Sequence, residues 1–127
     1  MAKPKLMVVD DETDNRELLY RTFRREFQVF RTDKATTAME ILNTEGEMGV
    51  IISDQSMPDM KGVEFLSKAQ DRFPDTVMIL LIGYSENIPD SEGVSIFKIV
   101  TKPWEPEGLK PILQEAIERY KSAKSLG

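Results

Sequence analysis

The sequence predicts an α/β fold in which a doubly wound parallel sheet carries helices on both faces. Three observations indicate it: short β-branched apolar runs recur along the chain, segments with helical spacing lie between them, and the connections are short. Runs that are apolar at every position are typical of central strands covered on both faces of a parallel sheet. Regular alternation of such strands with helices favours the doubly wound arrangement.

Each element follows from its own pattern. Four apolar runs predict the central strands, at residues 6–9, 50–52, 77–82 and 96–100. Residues 28–31 alternate polar and apolar side chains, as an edge strand does. Apolar positions with helical spacing predict amphipathic helices at residues 18–27, 35–42, 65–69 and 109–120. Five strands alternating with helices fit the flavodoxin-like strand order 2-1-3-4-5.

Two helices depart from this regularity. Residues 84–95, where a fourth helix is due, show no apolar stripe, and Pro89 and Gly93 both disfavour a helix interior. The fourth helix is therefore predicted to be short or irregular. The last helix contains Gly108 and Pro111 near its start. Either its regular part begins near residue 110, or an earlier turn is kinked at the proline.

Length and composition predict a single domain. The chain has 127 residues, of which 40% are hydrophobic and 31% charged. These values are typical of one globular domain. We assign residues 1–127 to one domain with its core at about 4–120, and expect residues 121–127 to begin a linker or tail.

Charge and hydropathy exclude two classes of partner. The net charge of −5 argues against direct nucleic-acid binding by this domain, because such binding depends mainly on Lys and Arg. No apolar run approaches the ~20 residues that span a bilayer. We therefore expect a cytoplasmic protein without membrane contact.

The sequence contains neither Cys nor His. Thiolate and imidazole ligands are therefore excluded, and any bound metal ion would be held by oxygen atoms. Such ligands favour Mg²⁺ or Ca²⁺ over transition metals.

Charged residues stand at the ends of three predicted strands. Asp10, Asp11 and Glu12 follow the first strand, Asp54 ends the third, and Lys102 follows the fifth. Taken singly, each is explained as a helix cap, a turn residue or a solvated loop lysine. Ligands in open α/β sheets bind beyond the carboxyl ends of the strands. The convergence of all three segments at that edge predicts a site for a hard cation beside a positive charge.

Three segments resemble the signature segments of response-regulator receiver domains: LMVVDDE at residues 6–12, IISDQSMPDMKG at 51–62 and TKPW at 101–104. The match covers essentially the whole chain, in the family's order and spacing. The resemblance implies two-component signalling, in which a phosphohistidine on a separate sensor histidine kinase gives its phosphoryl group to Asp54. The signal would pass to an output domain in the same chain or to a partner protein. A turnover enzyme is not implied, and homodimerisation and a role in transcription are left open.

The resemblance also implies a role for each site residue. Asp11 and Asp54 would bind Mg²⁺ directly, with the backbone carbonyl of Ser56 as the third protein ligand. Asp10 would support the metal through water. Lys102 would pair with Asp54 or with a phosphoryl oxygen as a point charge.

Three neighbouring residues have other expected roles. Pro103 resembles the family's cis proline, and Gly62 is expected to take a positive φ before the third helix. Trp104 is predicted either to pack on the core or to form an interface.

Two positions depart from the family pattern. Ile82 stands where receivers usually carry a Ser or Thr that contacts the phosphoryl group, and Ile99 stands where an aromatic residue often rotates with it. Either Ile82 is a neutral β-branched replacement in a strand, or signalling is altered. The alternative function is a receiver-like interaction module that signals largely without phosphorylation. A phosphatase of the haloacid-dehalogenase type would need a second Asp at position 56, where Ser56 stands.

Overall fold

The computed structural model describes residues 3–90 and 93–126. The elements alternate along the chain in this order: β1 (Lys5–Val9), α1 (Thr13–Phe23), β2 (Gln28–Thr32), α2 (Ala35–Glu45), β3 (Val50–Asp54), α3 (Gly62–Arg72), β4 (Val77–Ile82), β5 (Ile96–Thr101) and α4 (Pro106–Leu126). All strand pairs are parallel, and the order across the sheet is β2-β1-β3-β4-β5. The predicted fold class and strand order are confirmed.

The sheet lies between two apolar layers. Because successive side chains of a strand point to opposite faces, Leu6 and Val8 of β1 pack beneath α1 and α4, whereas Met7 and Val9 pack beneath α2 and α3. All four residues are fully buried. This two-sided burial explains why β1 is a continuous apolar run. No helix in the described ranges is long and apolar enough to cross a membrane.

The first helix ends earlier than its apolar spacing predicts. It stops at Phe23, and Phe27 lies in the turn that leads into β2. The amide of Phe27 still donates to the carbonyl of Phe23 at 2.9 Å, and the two rings meet edge to face, with centroids 6.0 Å apart. Phe27 therefore contributes to the core from outside the helix, which is why its spacing resembled a helical position.

The segment between β4 and β5 contains no helix in its described residues, 83–90 and 93–95. Its second half is fastened to α3: the Ser67 hydroxyl donates to the Gly93 carbonyl, and Gln70 makes two hydrogen bonds with the Ser95 backbone. The prediction of a short or irregular fourth helix is confirmed.

The last helix is longer than predicted. It begins at Pro106 and contains Pro111, so the alternative in which its regular part starts near residue 110 is wrong. Pro106 fits the first position because the amides of the first turn need no partner within the helix. Pro111 lies inside the helix and has no amide to donate to the carbonyl of residue 107. Residues 121–126 are helical and do not form the expected linker or tail.

Contacts at the far edge of the sheet explain why the helix continues. The Tyr120 hydroxyl donates to Glu47 at 2.7 Å, and Lys124, one turn further, lies 2.8 Å from Glu47 and 3.1 Å from Asp75. Burial, followed by the bond to Glu47, raises the pKa of Tyr120 to about 12. These partners lie in the loops before β3 and β4, so they are not visible in the helix sequence itself.

Gly62 is needed for a different reason from the one expected. Among the described residues only Gly46 and Gly93 have a positive φ, so the conformational prediction for Gly62 is wrong. A β-carbon at Gly62 would lie 2.2 Å from the carbonyl oxygen of Asp54 and 2.9 Å from the α-carbon of Gln55. The absence of a side chain lets the start of α3 lie directly against the end of β3.

The N-terminus of α2 is capped from another loop. Its own N-cap residue, Lys34, makes no capping bond, and the Asp59 carboxylate instead accepts from the amides of Thr36 at 2.9 Å and Ala35 at 3.3 Å. Partial burial alone would raise the pKa of Asp59, but these hydrogen bonds outweigh it and lower the pKa. Asp59 thereby fastens the β3–α3 loop to α2.

We expect Asp59→Ala to lower the free energy of unfolding by ~1 kcal/mol, the usual loss when a helix N-cap is removed. Because the folded pKa is lowered, this stabilisation is present above the unfolded pKa and is lost as the pH falls through the folded pKa. Urea denaturation at several pH values measures it. Asp71→Ala, at an exposed position on α3, is the control and should lose no stability. Equal stability of the Asp59→Ala variant and the parent at pH 7 would refute the capping role.

Candidate functional site

Three parallel strands, β1, β3 and β5, deliver charged residues to one edge of the sheet. Asp10 follows β1, Asp54 is the last residue of β3, and Lys102 follows β5. Hydrogen bonds to adjacent strands fix their backbones: the Asp10 amide donates to the Thr32 carbonyl at 3.1 Å, and the Lys102 amide donates to the Ile82 carbonyl at 2.8 Å. The sheet therefore brings together residues that lie far apart in sequence.

Lys102 is the cation at the centre of this cluster. Its Nζ lies 2.8 Å from Glu12 Oε1, 3.0 Å from Asp54 Oδ2 and 3.6 Å from Asp10 Oδ2. Asp10 is fully buried, Asp54 is 3% exposed, and the Lys102 side chain is 14% exposed. Lys102 thus forms ion pairs with three carboxylates, two of which are shielded from water.

The pKa values reflect this crowding. Burial raises the pKa of Asp54 to about 6; the hydrogen bond from Lys102 opposes the rise, and the charges of Asp10 and Asp11 add to it. Burial also raises the pKa of Asp10, although the Glu12 amide and Lys102 act against the rise. Burial alone would lower the pKa of Lys102, but its bond to Glu12 and the charges of Asp10 and Asp54 outweigh burial and raise it.

Unsatisfied oxygens mark the cluster as a place for a cation. Asp10 Oδ2 and Asp54 Oδ1 are buried without a hydrogen-bond partner. Buried polar atoms in proteins are rarely unpaired, so these two oxygens are available to bind a ligand. One carboxylate oxygen from each of Asp10, Glu12 and Asp54 lies within 4.8 Å of the others. An all-oxygen group of this kind could hold a metal ion.

The structure brings some of the predicted site residues together and leaves others outside the cluster. It brings together Asp10, Asp54 and Lys102, whereas Asp11 is exposed and its carboxylate is not one of the three that converge. Glu12, which has no separate role among the expectations from the sequence, joins the cluster. Its side chain makes no capping bond to α1 and turns to Lys102 instead. Its position between two aspartates and a helix start was the available signal.

Ser56 lies in the exposed loop that follows β3. Its hydroxyl donates to Glu86 Oε2 at 3.0 Å. The predicted role of its backbone carbonyl as a metal ligand is independent of this side-chain contact and stays a prediction.

Apolar side chains occupy the two atypical switch positions. Ile82 is buried at the end of β4, and Ile99 of β5 is partly buried; both pack in the apolar layer beneath α2 and α3. Neither offers a hydroxyl or an aromatic ring to the site. The segment after β5 contains a cis peptide bond between Lys102 and Pro103, as the resemblance implied. Trp104 is partly buried against the layer beneath α1 and α4, as in the core alternative.

The family follows from a comparison with known domains. A model of the response regulator receiver domain matches residues 6–114. The chain belongs to this family. The receiver is 37% identical to the hydrogenase transcriptional regulatory protein HoxA of Bradyrhizobium diazoefficiens, over 94% of this chain and 25% of that protein. It is 28% identical to the DNA-binding transcriptional regulator NtrC of Proteus hauseri, over 98% of this chain and 27% of that protein. This receiver thus spans about a quarter of these relatives.

Solved receivers share the fold. The signal receiver domain of an HD domain-containing protein from Pseudomonas fluorescens Pf-5 is 25% identical, with a TM-score of 0.85 over 98% of this chain and 94% of that chain. The Vibrio cholerae chemotaxis protein CheY4 is 26% identical, with a TM-score of 0.79 over 91% of this chain and 99% of that chain. The sheet that positions the acidic cluster in this receiver therefore belongs to the fold shared by its family.

Proposed function

We propose that this receiver accepts a phosphoryl group on Asp54 from a sensor histidine kinase in the cytoplasm, with Mg²⁺ in the acidic cluster. The signal then passes to an output domain in the same chain or to a partner protein. One observation carries the proposal: the buried Asp54 carboxylate ends β3 only 3.0 Å from Lys102 and beside two further carboxylates. A structural role alone does not require this concentration of buried charge.

The chemistry asks little of the protein beyond position and charge. An Asp54 oxygen forms the new P–O bond as the P–N bond of the donor's phosphohistidine breaks, and the released imidazole takes up a proton. With a pKa of about 6, Asp54 is mostly ionised at neutral pH and can attack. Lys102 neutralises charge that develops on the phosphoryl oxygens, the main requirement of phosphoryl transfer.

The residues present fit Mg²⁺. The unpaired Oδ1 of Asp54 offers a hard ligand of the kind that this ion prefers, and the unpaired Oδ2 of Asp10 could accept a hydrogen bond from a water on the ion. Asp11, Asp54 and the Ser56 carbonyl would bind it directly, and Asp10 would act through water. When bound, Mg²⁺ supplies positive charge that offsets the repulsion between the Asp54 carboxylate and the phosphoryl group. The Glu12 amide, 2.9 Å from Asp10 Oδ1, holds Asp10 in place for this role.

The wider assignments are part of the same proposal. The domain takes up one phosphoryl group per cycle and is not a turnover enzyme. The names of the HoxA and NtrC relatives suggest an output in transcription. The net charge of −5 leaves nucleic-acid contact to another domain, and a homodimer is compatible with all of these roles. Signalling without phosphate, suggested by Ile82 and Ile99, is the weaker candidate because it leaves the buried cluster without a purpose.

Intact-mass spectrometry after incubation with acetyl phosphate tests the proposal. We expect one phosphoryl group with Mg²⁺ present and none after chelation with EDTA. Asp54→Asn should remove the label, whereas Asp59→Asn, in the neighbouring loop, should keep it. Undiminished labelling of the Asp54→Asn variant would overturn the assignment.

We also expect Asp11→Asn to weaken Mg²⁺ binding at least ~10-fold, and Asp10→Asn to weaken it less, because a directly bound carboxylate contributes more than one acting through water. Titration calorimetry measures both affinities. Equal losses in the two variants would contradict this division of roles.

A further inference from the structure

Glu86 bridges the ends of two strands. Its Oε1 accepts the Gly83 amide at 2.7 Å, and its Oε2 accepts the Ser56 hydroxyl at 3.0 Å. A β-carbon at Gly83 would lie 2.9 Å from the same Oε1, so the missing side chain lets the carboxylate approach. We call this arrangement the Glu86 latch: Glu86, the Gly83 amide and the Ser56 hydroxyl.

The latch lies at the strand ends that present Asp54. Asp54 of β3 is in register with Leu81 of β4. Ser56 and Gly83 each follow two residues later, so they occupy equivalent positions just beyond the ends of two neighbouring strands. The Glu86 carboxylate therefore spans the same pair of strands that positions the phosphoryl acceptor.

Among the described residues, the donors to the Glu86 carboxylate are the neutral Gly83 amide and Ser56 hydroxyl. None of the ion pairs among the described residues includes Glu86. A phosphoryl group on Asp54 is also an anion that needs hydrogen-bond donors, and it would lie beside the same strand ends. Its charge would repel the Glu86 carboxylate, and its oxygens would compete for the Gly83 amide.

We propose that Glu86 is an internal anion that holds the β4–β5 segment closed, and that phosphorylation of Asp54 displaces it. The displacement step rests on the proposed function; the latch in the unmodified domain does not. Ile82 and Ile99 offer no polar group that distinguishes the two states, and only differential contacts shift a population. The latch supplies such a contact.

Release of Glu86 would change the exposed surface formed by Tyr84 and Ile88. Tyr84 is 88% exposed and Ile88 is 70% exposed, on either side of Glu86. Ser67 holds the far end of the segment at Gly93, so opening is confined to the part next to β4. A partner that reads phosphorylation would therefore see Tyr84 and Ile88 change position.

Amide hydrogen exchange in the unmodified domain tests the latch itself. A hydrogen bond to a charged group shifts an opening equilibrium on the order of 10- to 100-fold. Glu86→Ala should speed exchange of the Gly83 amide by about that factor. Glu86→Gln, which keeps an acceptor, should speed it less, and the control Glu40→Ala, exposed on α2, should leave it unchanged. Equal Gly83 exchange in the parent and Glu86→Ala would show that no latch exists.

NMR with beryllofluoride and Mg²⁺ tests displacement. In the parent we expect large shifts of Gly83 and Tyr84. In Glu86→Ala those shifts should shrink because the segment is already open, and in Glu86→Gln they should shrink because repulsion is missing. Shifts near Asp54 with Gly83 unchanged in the parent, or equal Gly83 shifts in all three proteins, would refute displacement. The absence of any shift in the domain would refute phosphoryl acceptance, and Gly83 exchange would still decide on the latch.

Discussion

Gly62→Ala is expected to destabilise the domain by at least ~3 kcal/mol, the upper end of the usual cost of overpacking. The new β-carbon would lie 2.2 Å from the Asp54 carbonyl oxygen, and the second-nearest atom is the Asp54 carbonyl carbon at 2.9 Å. Both belong to the backbone of a central strand, so neither can move aside as a flexible side chain would. The clash must separate α3 from β3 or distort the end of β3.

Gly108→Ala is the matched control. A β-carbon there meets nothing within 4 Å, and the residue lies in α4. Replacing glycine by alanine within a helix should stabilise by up to ~1 kcal/mol. Urea denaturation of both variants measures the contrast. Similar free energies of unfolding for the two variants would show that α3 does not approach β3 as closely as described.

Asp54→Asn is expected to stabilise the domain, by about 1–3 kcal/mol at pH 7.5 in metal-free buffer. The folded carboxyl has a pKa of about 6 against an ordinary value of 3.8, mainly because it is buried. A change of one pKa unit corresponds to ~1.4 kcal/mol of folding free energy. Solvent screening keeps the stabilisation of Asp54→Asn below the value that the whole pKa shift would give. Asparagine removes the buried charge and keeps an oxygen that can accept from Lys102.

The raised pKa of Asp54 determines how the stability of the domain changes with pH. Between pH 6 and 3.8 the folded protein binds a proton that the unfolded chain does not, so the parent gains stability as the pH falls. The advantage of Asp54→Asn should therefore vanish below about pH 4. Denaturant unfolding across this range tests it, with Asp71→Asn on the exposed surface of α3 as the control. A variant less stable than the parent at pH 7.5 would mean that Lys102 outweighs burial.

The strands and the centre of the site were predictable because their signals are local. Two-sided burial makes β4 apolar at every position, from Val77 to Ile82. The carboxyl ends of parallel strands meet at one edge, so Asp10, Asp54 and Lys102 could be brought together from the strand assignments alone.

The remaining features depend on contacts between distant segments. Asp59 caps a helix that begins 24 residues earlier, and Ser56 meets Glu86 across 30 positions. The last helix continues past Tyr120 because Glu47 and Asp75 hold Lys124. Gly62 is required because the start of α3 lies close to the end of β3. A single sequence does not encode this proximity as a local pattern.

The anchoring of α4 makes the two ends of the domain differ in their sensitivity to salt. The helix has 21 residues and is therefore ~31 Å long. Near its start, the ion pairs of Lys102 with Asp10 and Asp54 are buried and largely sheltered from counterions. At its other end, the ion pairs of Lys124 are open to solvent and weaken as ionic strength rises. The stiffness of the last helical turns should therefore fall as the ionic strength of the solution rises, while the pairs of Lys102 with Asp10 and Asp54 change less.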